Sequence, residues 1–204
     1  MNEGPAIRIA AVRGSIRPGN YTSKALDLVV AEMAKSSGTG VDLIDPATLE
    51  LAMPGQSAGD ADQEQVRQLI SNATGVVLST PEYHGSYSSV IKLVIENLGF
   101  PSALSGKPIA LLGVAGGQIG AIKALEHLRS VCSHVGAIVL PGPVSVANVQ
   151  DHFDDAGRCL DEHLESRIRG LGTQLLDYIR QSICPRMALE SYVREGTSRD
   201  PRRD

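Results

Sequence analysis

The sequence predicts an α/β fold, a three-layer doubly wound sandwich with a five-stranded parallel sheet in the order 2-1-3-4-5. Short apolar runs alternate with helical patterns five times along the 204 residues, as is typical of repeated strand–helix units. Most of these runs lack polar alternation, so the strands are expected to be buried on both faces. The core is expected to be aliphatic, because the chain has two Phe, five Tyr and no Trp.

Each predicted strand is a short apolar run that ends within two residues of a Gly or a Pro. The five runs are residues 6–12, 41–45, 75–79, 108–114 and 137–140. Because Gly and Pro interrupt regular backbone, they mark the strand ends. The loops that follow the first, third and fourth runs are unusual in composition.

The predicted helices repeat apolar residues at intervals of three and four. In the first helix, Leu26, Val29, Val30 and Met33 follow this spacing, which places them on one face. The predicted helices are residues 23–35, 62–71, 88–98, 119–134 and 160–183. Gly170 and Gly172 are expected to weaken the middle of the last helix.

The final 20 residues differ in composition from the rest of the chain. Residues 185–204 contain five Arg and four acidic residues, with few apolar ones. Such a segment cannot bury enough apolar surface to hold it in one conformation. We therefore predict one domain over residues 1–184 and a flexible tail over 185–204.

The composition excludes several functional classes. The net charge is −4, so no general positive field favours nucleic acid. No apolar run approaches the roughly 20 residues that a membrane span needs, and Arg8 and Arg13 interrupt the N-terminal run, unlike in a signal peptide. The three Cys are widely spaced, which predicts reduced thiols and a cytoplasmic protein without a metal site.

The loop after the first strand predicts an anion site. Residues 14–23, GSIRPGNYTS, combine hydroxyls, glycines and Arg17 just before a helix. Helix N-termini favour anions, and the guanidinium matches phosphate. The loop lacks the Lys-Ser/Thr of a Walker A motif, and the chain has no GxGxxG. An ordinary turn, capped by Thr22 or Ser23, is the alternative.

Two further loops favour a flat ligand at the same edge of the sheet. Residues 80–88, TPEYHGSYS, carry two Tyr and one His, and Gly85 lets backbone approach a ligand. Glu82 could instead be a solvated carboxylate or a helix-dipole partner, and His84 could equally be a surface turn residue. Residues 113–120 include Gly116 and Gly117, whose backbone N–H groups could face a ligand edge.

Other titratable residues are less indicative of a site. His127 and His134 lie seven residues apart on a predicted helix, without the ligands that complete a metal site. A structural or interface role is the favoured interpretation for both. Asp151, His152, Asp154 and Asp155 lack the spacing of a calcium loop.

Together the three loops resemble the NADPH-dependent FMN reductase family of flavodoxin-like proteins, which includes quinone, azo-dye and chromate reductases. The resemblance runs from about residue 7 to residue 183. It rests on GSIRPGNYTSKAL at 14–26, TPEYHGSYSSVIK at 80–92 and GVAGGQIGA at 113–121. Family members commonly have a proline and a Leu-Lys-Asn run after the second motif. Here residues 87–93 depart from both, and Tyr87 is expected to reshape the substrate face.

The resemblance implies FMN and NADPH as cofactors and a function for each loop. The FMN phosphate would be held by Ser15, Arg17, Tyr21, Thr22 and Ser23. The isoalloxazine ring would be lined by Pro81, Glu82, Tyr83, His84, Gly85 and Ser86. Its pyrimidine side would face Ala115, Gly116 and Gly117. No catalytic side chain is singled out, since flavin supplies the electronic chemistry.

The expected activity is NAD(P)H-dependent reduction of FMN, followed by transfer to a quinone, an azo compound, a metal oxyanion or a partner monooxygenase. The resemblance also implies a homodimer or homotetramer. One alternative is an FMN-binding electron carrier or redox-regulated interaction protein without NAD(P)H turnover. Another is a nucleotide-binding α/β protein without redox activity.

Overall fold

The central sheet has the predicted fold class and strand order. The computed structural model describes residues 7–56 and 60–198, and this part of the chain forms seven strands. They are β1 (Ile7–Val12), β2 (Thr39–Ile44), β3 (Gly75–Tyr83), β4 (Ser86–Tyr87), β5 (Pro108–Val114), β6 (Ile138–Val139) and β7 (Val144–Val146). The main path β2-β1-β3-β5-β6 is parallel and confirms the order 2-1-3-4-5.

Two strands more than the predicted five are present in the described residues. β4 folds back antiparallel on β3, so the third run does not end at Ser79. The other addition is β7, which pairs with β5 beyond β6. Pro141 and Pro143 separate β6 from β7, and neither can donate a backbone hydrogen bond to a sheet. Part of the segment predicted as irregular, 144–157, is therefore strand.

Helices cover both faces of the sheet, as predicted. The described helices are α1 (Tyr21–Ala34), α2 (Asp60–Asn72), α3 (Ser89–Glu96), α4 (Ile122–His134), α5 (Glu162–Tyr178) and α6 (Cys184–Ser198). One core cluster includes residues of α1 and α5, and the other includes residues of α2, α3 and α4. Neighbouring β1 residues divide between them: Ile9 and Ala11 join the first cluster, Ala10 and Val12 the second. None of the described helices is long and apolar enough to cross a membrane.

The C-terminal segment is helical well beyond the predicted last helix. Five residues with π-helical geometry, Ile179–Ile183, connect α5 to α6. An ion pair between Arg186 and Glu190, one turn apart, supports α6. Residues 199–204 lie outside the described residues, and the flexibility of the 185–204 segment stays a prediction.

Helix α5 runs without a break through both of its central glycines. Gly172 is buried where α5 meets α1, and a Cβ there would lie 2.8 Å from Met33 Cγ and 3.2 Å from the Val29 carbonyl oxygen. Gly170 is exposed, and a Cβ there would meet nothing within 4 Å. Gly172 therefore permits close helix packing, whereas Gly170 has no such function.

We expect opposite effects from alanine at these two positions. Gly170→Ala should raise the free energy of unfolding by up to about 1 kcal/mol, because Ala favours helix more than Gly does. Gly172→Ala should lower it by about 1–3 kcal/mol, because the added methyl overpacks the contact with α1. Urea denaturation measures the free energy of unfolding of the two variants. Equal changes in that free energy would contradict the packing argument.

The buried cysteine is unsuited to redox chemistry. Burial raises the pKa of the Cys132 thiol to about 12, and burial also raises the pKa of the Cys159 thiol. A raised pKa keeps a thiol protonated and weakly nucleophilic. All three cysteines are free, in keeping with the predicted reduced thiols.

Candidate functional site

The three predicted loops meet at one edge of the sheet. They follow β1, β3 and β5, and β3 pairs with each of the other two strands. Because these pairings are parallel, the carboxyl ends of the three strands lie side by side. In the register, Val12 lies beside Leu78, and Pro81 lies beside Val114. The loops are called here the β1–α1 loop (13–20), the ring hairpin (82–87) and the β5–α4 loop (115–121).

The β1–α1 loop and the first turn of α1 present unpaired backbone donors. Within the described part of the chain, the amide N–H groups of Ser15, Ile16, Tyr21 and Thr22 have no hydrogen-bond partner. Ser15 and Thr22 are nevertheless buried, at 4% and 3% exposure. Buried amides are almost always paired, and unpaired ones at a helix N-terminus bind anions. The geometry therefore fits an anionic ligand.

Asn20 caps α1, a function that the sequence reasoning gave to Thr22 or Ser23. The Asn20 Oδ1 atom accepts a hydrogen bond from the Ser23 amide at 2.8 Å, and its Nδ2 donates to the Arg17 carbonyl at 2.6 Å. The prediction of the cap residue was wrong because the helix begins two residues earlier than its apolar spacing indicated. Asn directly before a helix is itself a capping signal that could have located it.

Buried hydroxyls tie the β1–α1 loop to the segment around the ring hairpin. Ser79 Oγ accepts from the Gly14 amide at 3.2 Å and donates to the Val12 carbonyl at 2.8 Å. Ser88 Oγ donates to the Gly14 carbonyl at 2.6 Å. Thr80 Oγ1 accepts from the Ser88 amide at 2.9 Å. These bonds fix the relative positions of the first two loops.

The ring hairpin is a tight turn with left-handed backbone. His84 and Gly85 have φ of 52° and 77°, as expected for the two central residues of a hairpin turn that matches strand twist. Glu82 Oε1 accepts a hydrogen bond from the Gly85 amide inside the turn. Glu82 therefore stabilises the turn, a function that the sequence alone did not assign to it.

The two sides of the hairpin differ in their contacts. Tyr83 is 37% exposed, and the Arg17 guanidinium carbon lies 5.0 Å from the centre of its ring. Tyr87 is half-buried and packs against the alanines Ala115, Ala121 and Ala124. Burial raises the pKa of the Tyr87 phenol. The expectation that Tyr87 reshapes the substrate face stays a prediction.

The β5–α4 loop leaves glycine backbone open. Ala115 is buried, while Gly116 and Gly117 are exposed, and a Cβ on Gly117 would meet nothing within 4 Å. Among the described residues neither glycine amide has a partner. Gln150 Nε2 donates to the Gly116 carbonyl at 3.2 Å. These amides are therefore free to face a ligand.

One predicted phosphate residue faces away from the loop. The Tyr21 ring lies 6.4 Å from the Phe153 ring, centre to centre, and the Lys24 ammonium lies 4.9 Å above it. Tyr21 thus packs against the core with its side chain, while its amide has no hydrogen-bond partner among the described residues. Sequence reasoning missed Asn20, Ser79, Ser88 and Gln150, which shape or support the site. Ser88, directly before a helix, carried a capping signal, whereas Ser79 and Gln150 carried none.

A salt-bridge cluster borders the other side of the β1–α1 loop. Arg13 contacts Asp45 at 2.8 Å and Asp27 at 3.1 Å. Burial lowers the pKa of Arg13, but the two carboxylates outweigh it and hold the pKa above its usual value. This cluster lines a cleft of about 350 Å³ together with Ser15, Arg17 and Ser23. It joins the residues that directly follow β1 and β2 to Asp27 of α1.

Comparison with known proteins decides the family. A family model described as NADPH-dependent FMN reductase matches residues 7–151. The chain belongs to the NADPH-dependent FMN reductase family. This family is one of oxidoreductases that use NAD(P)H and FMN, in agreement with the resemblance found in the three loops. The match includes all three of those loops.

Individual proteins resemble the chain over most of its length. An NAD(P)H-dependent FMN reductase of Pseudomonas aeruginosa is 30% identical over 174 residues, covering 80% of this chain and 90% of the relative. A 2-hydroxy-1,4-benzoquinone reductase of a Burkholderia species is 30% identical over 165 residues, covering 77% and 87%. The structure of the Paracoccus denitrificans flavoenzyme FerB, an NAD(P)H:(acceptor) oxidoreductase, has a TM-score of 0.70 at 24% identity, covering 86% and 98%. This last similarity shows a shared fold.

Proposed function

We propose that this protein binds FMN at the edge formed by its three loops, reduces it with NADPH and passes the electrons to a small-molecule acceptor. The observation that carries the proposal is a set of amides without hydrogen-bond partners among the described residues: those of Ser15 and Ile16 in the β1–α1 loop, and those of Tyr21 and Thr22 in the first turn of α1. A phosphate monoester supplies the acceptor oxygens and the negative charge that such a site favours.

The side chains of the β1–α1 loop would complete the phosphate site. The Ser15, Thr22 and Ser23 hydroxyls would add donors beside the amides, including that of Tyr21. Arg17 would add a positive charge from its exposed position above Tyr83. Because α1 begins at Tyr21, its dipole would act on the same anion.

The other two loops would hold the ring of the cofactor. The ring hairpin would contact it through residues 81–86, with the turn backbone fixed by the Glu82–Gly85 hydrogen bond. The amides of Gly116 and Gly117 would face its pyrimidine side, with Ala115 buried behind them. FMN supplies hydride acceptance from NADPH and electron transfer to the acceptor. Fixed amide dipoles would stabilise negative charge there without reorganisation.

We propose a quinone as the acceptor class, with the protein acting in the cytoplasm as a homo-oligomer. The relative named 2-hydroxy-1,4-benzoquinone reductase supports the acceptor. Exposed apolar side chains support association: Ile119, in the β5–α4 loop, is 72% exposed, Ile122 51% and Phe100 101%. Contiguous exposed apolar patches commonly mark surfaces that another chain covers.

The visible spectrum of the purified protein, followed by NADPH addition, tests the function. We expect a flavin spectrum as purified or after reconstitution with FMN, bleaching of that spectrum by NADPH, and reoxidation by a quinone. No NADPH oxidation above a flavin-only control would favour an electron carrier without turnover. A protein that cannot be reconstituted with FMN would favour a nucleotide-binding protein without redox activity.

Removing the Arg17 guanidinium should weaken FMN binding. We expect Arg17→Ala to raise the Kd for FMN by about 10- to 100-fold, because hydrogen bonds to charged groups contribute about 1.5–3 kcal/mol. Quenching of FMN fluorescence measures the Kd. Arg167→Ala removes an exposed cation from α5 and should leave the Kd unchanged. Equal affinity in Arg17→Ala and the wild type would contradict the phosphate assignment.

A further inference from the structure

The ring hairpin is held from the side by helix α4. Ser86 Oγ lies 3.1 Å from His127 Nδ1, within hydrogen-bond distance and 41 residues apart in the chain. One turn earlier on α4, the aliphatic part of Lys123 lies beside Gly85, whose Cβ would come 3.9 Å from Lys123 Cδ. The hairpin tip therefore rests against one edge of α4.

Among the contacts described for the hairpin, the bond to His127 is the one that holds the Ser86 side chain in place. Glu82 closes the turn internally through the Gly85 amide. Tyr87 anchors the second strand of the hairpin against small side chains, including Ala121 and Ala124. Within the described residues, the hydrogen bond to His127 is the one side-chain bond of Ser86. Without it, nothing on α4 would fix the rotamer of the Ser86 hydroxyl.

We propose that His127 is a positioning residue for FMN binding: it orients the Ser86 hydroxyl and holds the ring hairpin against α4. The proposal rests on the proposed function, in which Ser86 lines the flavin ring. A hydroxyl has one proton and two lone pairs, so the bond to Nδ1 determines which of them remain for the ring. His127 acts through Ser86 and does not itself contact the cofactor.

His134 provides a matched control on the same helix. It lies seven residues after His127, in the last turn of α4, and in the described structure it makes no hydrogen bond to the hairpin. Asn at position 127 provides a rescue, because its side-chain oxygen and nitrogen are bonded to Cγ, as Nδ1 is in histidine. The variants His127→Ala, His127→Asn and His134→Ala therefore separate loss of the hydrogen bond from general damage to α4.

The experiment measures the Kd for FMN of the reconstituted protein by fluorescence quenching. We expect Ser86→Ala and His127→Ala each to weaken binding about three- to tenfold, the size of one neutral hydrogen bond. The double variant should be no weaker than the weaker single variant, because both remove the same interaction. His127→Asn and His134→Ala should bind FMN as the wild type does.

Several results would overturn the proposal. One is a wild-type Kd for FMN in His127→Ala. Another is additive effects of the two substitutions in the double variant. A third is an equal loss of affinity in His127→Ala and His134→Ala. In the FMN-free protein, ¹⁵N spectra should show that Ser86→Ala alters the ring-nitrogen shifts of His127, and unchanged shifts would disprove the contact. A wild-type protein that binds no FMN would instead overturn the proposed function, and this proposal with it.

Discussion

Replacing Gly14 with alanine should disrupt the candidate site more than any other single methyl group added to the chain. A Cβ at Gly14 would lie 1.9 Å from the Ser79 carbonyl oxygen and 2.8 Å from Thr80 Cα. Both atoms are backbone, so no side-chain rotation can relieve the clash. We expect Gly14→Ala to lower the free energy of unfolding by about 2–4 kcal/mol, as measured by urea denaturation.

The same substitution should also reduce cofactor affinity. Gly14 donates to Ser79 and accepts from Ser88, so displacing it moves the β1–α1 loop away from the ring hairpin. We expect the Kd for FMN to rise at least about tenfold, which corresponds to about 1.4 kcal/mol.

Gly40→Ala is the matched control for Gly14→Ala. Gly40 is an exposed residue of β2, and a Cβ there would meet nothing within 4 Å. The free energy of unfolding of Gly40→Ala should stay within about 1 kcal/mol of the wild-type value, because only the small Gly-to-Ala backbone effect remains. Similar losses in the two variants would show that the close approach of Gly14 to Ser79 is not the cause.

Loss of the Ser88 hydroxyl should have the second-largest effect. Ser88 is 1% exposed, and its Oγ donates to the Gly14 carbonyl and accepts from the Ile91 amide, which caps α3. Ser88→Ala therefore removes a helix cap and leaves a buried carbonyl without its partner. We expect a loss of about 2–4 kcal/mol, the sum of about 1 kcal/mol for the cap and 1–3 kcal/mol for the unpaired group.

Ser89→Ala tests whether the effect belongs to this hydroxyl. Ser89 is the next residue, exposed and at the first position of α3. Its replacement should change the free energy of unfolding by no more than about 0.5 kcal/mol. Thermal and urea denaturation of both variants give the comparison. A Ser88→Ala protein as stable as Ser89→Ala would mean that the bond between the two loops contributes nothing.

The sequence by itself determined the strand order of the sheet and the place of the candidate site. Apolar runs without alternation can be satisfied only by burial on both faces, and they predicted the segments that became β1, β3 and β5. Because those strands are neighbours in the sheet, the loops that follow them lie at the same edge of it. Glycines, hydroxyls and Arg17 in these loops then indicated a phosphate and a flat ring, and the family match supports that interpretation.

Local sequence patterns predicted secondary structure less well in two segments. The residues predicted as a flexible tail include most of α6 (Cys184–Ser198), since their low apolar content gave no sign of a helix that the Arg186–Glu190 ion pair supports. Pro81 predicted the end of a strand, yet β3 continues through it to Tyr83 because the hairpin partner Ser86–Tyr87 folds back beside it. For Pro81 the local signal was outweighed by a contact made outside the segment, whereas α6 rests on pairs within its own sequence.

Only the tertiary structure decided how the site is held together. The bonds from Gly14 to Ser79 and Ser88 join residues 65 and 74 positions apart, and His127 reaches Ser86 across 41. Sequence periodicity reports which face of a helix or strand a residue occupies, because it reflects the local backbone repeat. It carries no information on which side chain lies opposite, because that depends on how separate elements pack.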